Sequence, residues 1–297
     1  MNLNPLYITN LVSSLDATSA SEQRLTEELA SGSRVNQVSD DPVAAGENVL
    51  LSAQIGSDDT FSQTASSAQS RLQVTDSALG TVVSHLTSAI SLATGANNGT
   101  LNAGDLESIG NQLAGIRDEV LSLANTTYMG NYVFSGSQGG TTPFVLSNSS
   151  ATGVQYNGDA IANSLETPNG QKIQLNLPGD QVFMASASDV LGTLNALVAD
   201  YSSGTASSTA EADTEALSTA LSHVSQQRVV IDNSLSRLSA AESYTQSESA
   251  QLTSAQTSLL QANVGEVATG LSTAETQQAA LSQVIATLGK QSLFNDL

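Results

Sequence analysis

Cysteine and tryptophan are both missing from this 297-residue chain, and basic residues are scarce. Without cysteine there is no disulfide framework and no thiolate chemistry, which excludes disulfide-stapled scaffolds and cysteine-dependent catalysis. Eight Lys and Arg residues stand against 28 Asp and Glu residues, so the formal net charge is −20. The basic residues are scattered singly. Nucleic acid and anionic membranes, which need clustered cations, are therefore poor partners.

Aromatic residues make up only 4% of the chain, and charged residues 12%, about half of the usual ~25%. A core must therefore be built from Leu, Val, Ile and Ala, and the surface mostly from uncharged polar residues. The length suffices for about two domains of ~100–200 residues.

Long apolar runs are also lacking, since no stretch approaches the ~18 apolar residues of a membrane span. The first basic residue is Arg24, and no charged segment followed by an apolar one precedes it. The pattern of a cleavable signal peptide is therefore absent. We expect any export to use a route that recognises something else.

Helical periodicity dominates both ends of the chain. Apolar or small residues recur in alternating steps of four and three, the spacing of a coiled-coil seam. In the first helix, over residues 5–30, the seam is thin and is interrupted by Glu22. In the second, from residue 42 to about 94, it is unbroken and comprises Phe61, Ala65, Ala68, Leu72, Thr75, Leu79, Val82, Leu86, Ala89 and Ala93. A third amphipathic helix is predicted over residues 104–125.

The polar segment at residues 31–39 interrupts the first helix. Asp41 and Pro42 then predict a helix start, because a carboxylate accepts free N–H groups of the first turn and proline at the first helical position loses no needed hydrogen bond.

Between residues 131 and 186, short β-branched and aromatic runs alternate with turn residues. This predicts about five short strands, at residues 132–134, 144–146, 154–156, 173–177 and 182–184. Helical spacing returns at 188–201. After a loop at 202–209, one long helix is predicted to continue to about residue 288, with a weak polar stretch at 242–256.

These patterns predict a mainly α fold with a β insert. Long antiparallel helices form a coiled-coil rod, the N- and C-terminal helices pair, and a small β domain lies in the middle. We divide the chain into a terminal coiled-coil assembly domain (1–42 and 255–297), a helical rod domain (43–130 and 188–254) and the β domain (131–187).

Catalytic patterns are missing from the sequence. The two histidines, His85 and His223, lie beside helical seams without the spacing of a metal motif, and no phosphate-binding glycine loop precedes a helix. Neighbouring acids such as Asp58 and Asp59 point about 100° apart on a helix and do not converge. We therefore predict no enzyme, no cofactor and no metal.

Several segments resemble the flagellins and flagellar hook-associated proteins of bacteria. They are residues 29–36 (LASGSRVN), 39–45 (SDDPVAA), 123–127 (LANTT), 130–136 (GNYVFSG), 156–159 (YNGD) and 288–297 (LGKQSLFNDL). The segment at residues 39–45 has Pro42 after its two aspartates. In this it is more similar to the hook–filament junction family than to flagellin, which usually has alanine at that position.

This resemblance implies a structural protein of the flagellum that joins the first hook-associated protein to the flagellin filament. Its partners would be copies of itself as a ring or helical homo-oligomer, the first hook-associated protein, flagellin and an export chaperone. It would be extracellular and exported without a cleaved signal peptide, through the flagellar type III channel.

The resemblance also implies an assembly interface on the terminal helices. Its expected residues are Leu11, Leu15, Leu25, Leu29, Val264, Val267, Leu271, Leu281, Ile285, Leu288, Leu293 and Phe294. The segment that joins the inner tube to the outer rod, here called the spoke loop, is expected to use Gly32, Arg34, Asn36, Asp40, Asp41 and Pro42.

The thin apolar stripe on the first helix supports the same expectation, because ordering its backbone costs more than four leucines return. We expect the terminal helices to need further copies. Three other functions stay open: flagellin itself, an enzyme carried by the β insert, and a cytoplasmic coiled-coil scaffold.

Overall fold

A computed structural model describes residues 5–147, 150, 152–185 and 188–293. Seven helices are found in this part of the chain: α1 (Pro5–Ser31), α2 (Pro42–Ala96), α3 (Ala103–Ala124), α4 (Gly179–Phe183), α5 (Val190–Tyr201), α6 (Ala210–Leu260) and α7 (Val264–Leu293). The predicted mainly α fold with a small β insert in its middle is confirmed. No helix in these residues has both the length and the hydropathy that crossing a bilayer requires.

The chain forms two compact units. The terminal unit comprises Met1–Ser57 and Glu248–Leu297, and the central unit comprises Asp58–Ser247. Helices α2 and α6 contribute residues to both. The finer division into three domains stays a prediction.

The central unit holds a continuous hydrophobic core. All ten seam positions predicted on α2, from Phe61 to Ala93, are buried. Helix α6 runs antiparallel to α2, with Arg228 Nε 2.8 Å from Asp76 Oδ1 and Gln69 Nε2 2.9 Å from Glu242 Oε2. Leu217, Val224 and Leu238 are buried on its inner face. The strict spacing of the sequence therefore identified the packed face of α2.

Helix α3 packs along α5 in the same unit. An Asn102–Asp105 capping box starts α3, and the Asp189 carboxylate, which accepts from Gly192 N–H at 2.8 Å, starts α5. At the end of α3, the Asn125 side chain bonds both backbone groups of Phe144, at 2.8 and 2.9 Å. This contact fixes the helix end to the first strand of the next hairpin.

The β insert consists of four separate antiparallel strand pairs in the described residues. They are β1 (Thr127–Tyr128) with β2 (Asn131–Tyr132), β3 (Phe144–Leu146) with β4 (Val154–Tyr156), β5 (Ser164–Glu166) with β6 (Lys172–Gln174), and β7 (Met184–Ala185) with β8 (Ser188–Asp189). Phe144 pairs with Tyr156, and Leu165 with Ile173.

The prediction of a strand at residues 182–184 is wrong for two of its three residues, because Val182 and Phe183 belong to α4. Both of these neighbours are fully buried, whereas a strand would direct them to opposite faces. A helical turn lets both reach the core, where the Phe183 ring meets Phe134 and Phe144 with centroids 5.1 and 5.4 Å apart. Pro178, just before Gly179, starts that turn.

The long C-terminal helix also differs from the prediction. The polar stretch at 242–256 lies inside α6 without a break, because its side chains find polar partners on α2. Gln256 Nε2, for example, lies 2.7 Å from Asn48 Oδ1 and 2.8 Å from Ser52 Oγ. The helix ends at Leu260 instead, and Asn263 caps α7 by accepting from Glu266 N–H at 3.3 Å.

The position of the core predicts an uneven response to mutation along α2. We expect Leu79→Ala, at a fully buried position, to destabilise the protein by about 2–5 kcal/mol. Leu50→Ala is the matched control, because Leu50 is 72% exposed, and we expect a change within about 0.5 kcal/mol. Urea unfolding followed by circular dichroism measures both; equal losses would contradict the location of the core.

Candidate assembly surface

Helices α1 and α7 form an antiparallel pair in the terminal unit. Gln278 Nε2 donates to Ser19 Oγ at 3.0 Å. Nearer the other end of the pair, Leu25 lies against Gly270, where an added β-carbon would stand 3.4 Å from Leu25 Cδ1, an ordinary contact distance. Together these two contacts show that the helices run in opposite directions.

The inner face of this pair contains most of the predicted interface residues, but few of them are buried. Val267 is buried at 5% exposure, together with Ala274. The larger members are only half-buried: Leu11, Leu15, Leu25, Leu271, Leu281, Ile285 and Leu288. Leu293 ends α7, and Phe294 lies outside the described residues.

Two predicted interface residues do not join the inner face of the pair. Leu29 is 40% exposed and Val264 is 58% exposed. Glu28 takes the inward position in place of Leu29, at 5% exposure, and Arg24 Nη1 neutralises its carboxylate at 2.8 Å. The i,i+4 spacing of Arg24 and Glu28 was a usable sequence signal for this ion pair.

Exposed apolar side chains are concentrated in the terminal unit. In its described residues, those that are large and exposed are Tyr7, Ile8, Val12, Leu29, Val38, Val43, Val49, Leu50, Val264 and Val284. The buried apolar residues of the same part of the unit are Ala44, Ala262, Val267 and Ala274, none of them larger than valine. The concentration of exposed apolar residues makes this unit the candidate contact surface.

The spoke loop begins where Gly32 ends α1. Its φ of +69° lies in the left-handed region, and its N–H bonds to Glu28 O at 2.9 Å, a glycine-terminated helix end. The loop then pairs with the α6–α7 junction. Arg34 N–H bonds to Leu260 O at 2.6 Å, and Ala262 N–H bonds to Gly32 O at 2.9 Å. The two chain segments are therefore joined through their backbones.

Asp40 and Asn36 shape the middle of the spoke loop. Asp40 Oδ2 accepts from the N–H groups of Asn36 at 3.0 Å and Gln37 at 2.8 Å. The Asn36 side chain donates to Ser33 O at 3.2 Å. These bonds replace the missing secondary structure of an exposed segment, so the loop has a defined shape without an apolar core.

Asp41 connects three elements of the terminal unit. Its Oδ1 accepts from Ala44 N–H at 3.0 Å, which caps α2 at the helix start formed by Pro42. Its Oδ2 pairs with Arg34 Nη1 at 2.9 Å, and Arg34 Nη2 also donates to Leu259 O at 3.2 Å, near the end of α6. The bond from Ala44, then the Arg34 guanidinium, lower the pKa of the Asp41 carboxyl below its ordinary value.

Both histidines and the glycine-rich turn make contacts with other parts of the chain. His85 Nδ1 lies 3.1 Å from Glu119 Oε2, and His223 Nε2 lies 2.7 Å from Gln181 O. The glycine-rich turn near Gly136 is held by Asp159, which accepts from Ser137 N–H at 2.8 Å. In the part of the chain that the structure describes, no three His, Cys, Asp or Glu residues cluster as metal ligands.

Comparisons with known proteins identify relatives. Residues 4–139 match the bacterial flagellin N-terminal helical region. Flagellar hook-associated protein 3 of Salmonella typhimurium is 28% identical over 187 residues, which cover 63% of this chain and 57% of that protein. The protein of the same name from Escherichia coli is 30% identical over 166 residues, 56% of this chain and 51% of the relative. The chain thus matches just over half the length of these curated relatives.

Solved structures share the fold. A Vibrio parahaemolyticus structure described as a putative flagellar hook-associated protein matches with a TM-score of 0.65 and 18% identity, over 74% of this chain and 99% of that one. Xanthomonas campestris FlgL matches with a TM-score of 0.62 and 20% identity, over 68% and 98%. The expected resemblance to the flagellin superfamily and its hook-associated proteins is confirmed.

The Asp41 contacts predict a measurable titration. Because the folded-state pKa is lowered, the contribution of Asp41 to stability is present at neutral pH and is lost as the pH falls through that pKa, below the ordinary 3.8. We expect an NMR titration midpoint below 3.8 that Arg34→Gln raises. Arg24→Gln is the control, since Arg24 pairs with Glu28. An ordinary midpoint that Arg34→Gln leaves unchanged would contradict the described contact.

Proposed function

We propose that this chain, a protein similar to flagellar hook-associated protein 3, is the structural adaptor between the hook and the flagellin filament. The flagellin N-terminal region and the two hook-associated relatives support a structural role in the bacterial flagellum. In this proposal its partners are further copies of itself, the first hook-associated protein, flagellin and an export chaperone. In this proposal it acts outside the cell, as part of the flagellum.

The observation that carries the proposal is the apolar surface of the terminal unit. Tyr7, Ile8 and Val12 on α1 and Val284 on α7 are large, apolar and between 39 and 53% exposed. Their burial against neighbouring subunits would stabilise an assembly, because removing apolar area from water gives about 25 cal/mol per Å². In this proposal the contacts between subunits are head-to-tail. Such contacts build rings or open filaments rather than closed dimers.

The predicted interface residues fit two roles in this assembly. Leu11, Leu15, Leu25 and their half-buried counterparts on α7 hold α1 and α7 together within a subunit. Leu29 and Val264 point their apolar side chains away from the pair, so they are available to another subunit. We assign Leu293 and Phe294 to the same interface from the sequence resemblance.

The spoke loop would transmit the position of the terminal helices to α2. The Arg34–Asp41 pair ties the cap of α2 to the end of α6, and the Gly32–Ala262 backbone bond ties the end of α1 to the start of α7. Because these bonds are made within one subunit, the spoke loop keeps its shape whether or not the subunit is assembled. A junction between two different lattices benefits from such a fixed connection.

Flagellin is the second candidate, because the matched N-terminal region is named for flagellin itself. The two curated relatives favour the junction role, since both are hook-associated proteins. Purified junction protein added to filament seeds should not extend them, whereas flagellin would grow long filaments.

Deletion of the gene in its own bacterium tests the junction role. We expect hooks without filaments and flagellin released into the medium, because newly exported flagellin would have no surface on which to assemble. Electron microscopy and an assay of flagellin in the medium measure the two effects. Filaments of normal length on the deletion strain would contradict the proposal.

Complementation of that strain tests the surface residues. We expect Val12→Asn, in a protein that is exported at normal levels, to leave most hooks without filaments, because it places an amide in the proposed subunit contact. Val229→Asn is the matched control: Val229 is an exposed valine at 58% on α6 in the central unit, and filaments should be restored. Normal filaments with Val12→Asn would remove α1 from the assembly surface.

A further inference from the structure

A cavity of about 620 Å³ lies in the central unit. Part of its lining is a single face of α2, with Gln63, Ser67 and Arg71 spaced by one turn each. The remaining lining comes from the β insert and includes Tyr128, Met129, Asn131, Asn163 and Leu175. The volume falls in the range of about 300–1,000 Å³ that small-molecule sites occupy.

Arg71 is the unusual member of this lining. The other five arginines each have a partner: Arg24 pairs with Glu28, Arg34 with Asp41, Arg117 with Asp118, Arg228 with Asp76, and Arg237 donates to Lys172 O. In the described part of the chain, the Arg71 guanidinium makes no ion pair and no hydrogen bond. It is half-buried, and burial lowers the pKa of this side chain.

The charge of the cavity is opposite to that of the chain. The chain carries 28 acidic residues and a net charge of −20, yet no Asp or Glu is among the described residues that line this cavity. An unpaired, partly desolvated guanidinium is costly unless a ligand supplies its counter-charge. A carboxylate is the best match, because its two oxygens accept the paired N–H donors of arginine.

The remaining lining indicates a hydrophilic ligand. Gln63, Thr64, Ser67, Asn131 and Asn163 contribute amides and hydroxyls that both donate and accept hydrogen bonds. Tyr128 and Leu175 add apolar surface on which a ring can lie. This combination suits the hydroxyl groups and the ring of a sugar, whereas a simple inorganic anion would leave most of the cavity unfilled.

Met129, which lines the cavity, belongs to a two-residue turn between β1 and β2. Met129 and Gly130 have φ values of +49° and +81°, as in the tight turns that match strand twist. Met129 is the sole non-glycine residue with positive φ in the described residues, and it is 81% exposed. Methionine pays a conformational cost there that glycine or asparagine would not, which is consistent with a contact role at the rim.

We propose that this cavity binds an acidic saccharide, with the ligand carboxylate on Arg71 and its hydroxyl groups on the surrounding amides and hydroxyls.

Calorimetric titration of the full chain with D-glucuronate tests the proposal, with D-glucose as the neutral probe of the same ring size. We expect saturable glucuronate binding that Arg71→Gln weakens at least about tenfold, the loss expected for one charge-assisted hydrogen bond. Glucose should bind at least about tenfold more weakly than glucuronate to the unaltered chain. Arg237→Gln, a helical arginine with only a carbonyl partner, is the matched control and should leave the affinity unchanged.

A second variant separates the contribution of the Arg71 charge from that of the space in the cavity. Ser67→Phe keeps Arg71 but fills the cavity, and we expect it to abolish glucuronate binding while circular dichroism shows an unchanged fold. The proposal is overturned if no saturable binding is found up to about 10 mM glucuronate, or if Arg71→Gln binds as well as the unaltered chain. If glucuronate does not bind and the Arg71→Glu variant associates differently with other copies of the chain, Arg71 belongs to a protein contact. That result would also overturn the proposal.

Discussion

Apolar burial is divided unequally between the two units, and the rest of the structure depends on this division. The hydrophobic core cluster lies in the central unit, where Leu72, Leu79 and Leu86 of α2 are almost fully buried. The described residues of the terminal unit bury no apolar side chain larger than that of Val267. Since burial of large side chains is the main favourable contribution to folding, we expect the central unit to be stable on its own and the terminal unit to need further contacts.

Polar contacts define the terminal unit where a core is missing. Gly32 ends one helix, Asp41 caps the next, and Arg34 links that cap to the end of α6. Such exposed bonds have clear geometry but contribute modestly to stability, because water competes for each group. The terminal unit thus has a specified shape with little stability of its own. That combination fits the proposed role, in which contacts with further subunits complete the terminal unit.

Much of the fold was predictable where the spacing of residues is regular. The α2 seam was identified residue by residue, because an unbroken alternation of four and three leaves one face of a helix to bury. The Asp41–Pro42 helix start was also predictable, since capping is a local interaction that depends only on residues close together in the sequence.

The remaining features depend on contacts between distant residues. Helix α4 replaces a strand because Phe183 packs against Phe134 and Phe144, which no local pattern reveals. The inward position of Glu28 depends on the packing of α1 against α7. The break at residues 261–263 is fixed by backbone bonds to Gly32 and Arg34, more than 200 positions away in the sequence. Likewise, the lack of a partner for the Arg71 guanidinium in the described residues is seen only when the contacts of all six arginines are compared in the structure.

Amide hydrogen exchange, measured on the free chain in dilute solution and on the assembled flagellar protein, tests the central claim most directly. The account predicts that in the free chain the amides of α1 exchange much faster than those of α2 between Leu72 and Leu86, because no large apolar core protects α1. On assembly, α1 should become protected. Exchange in α1 of the free chain as slow as in α2, with no change on assembly, would contradict the account.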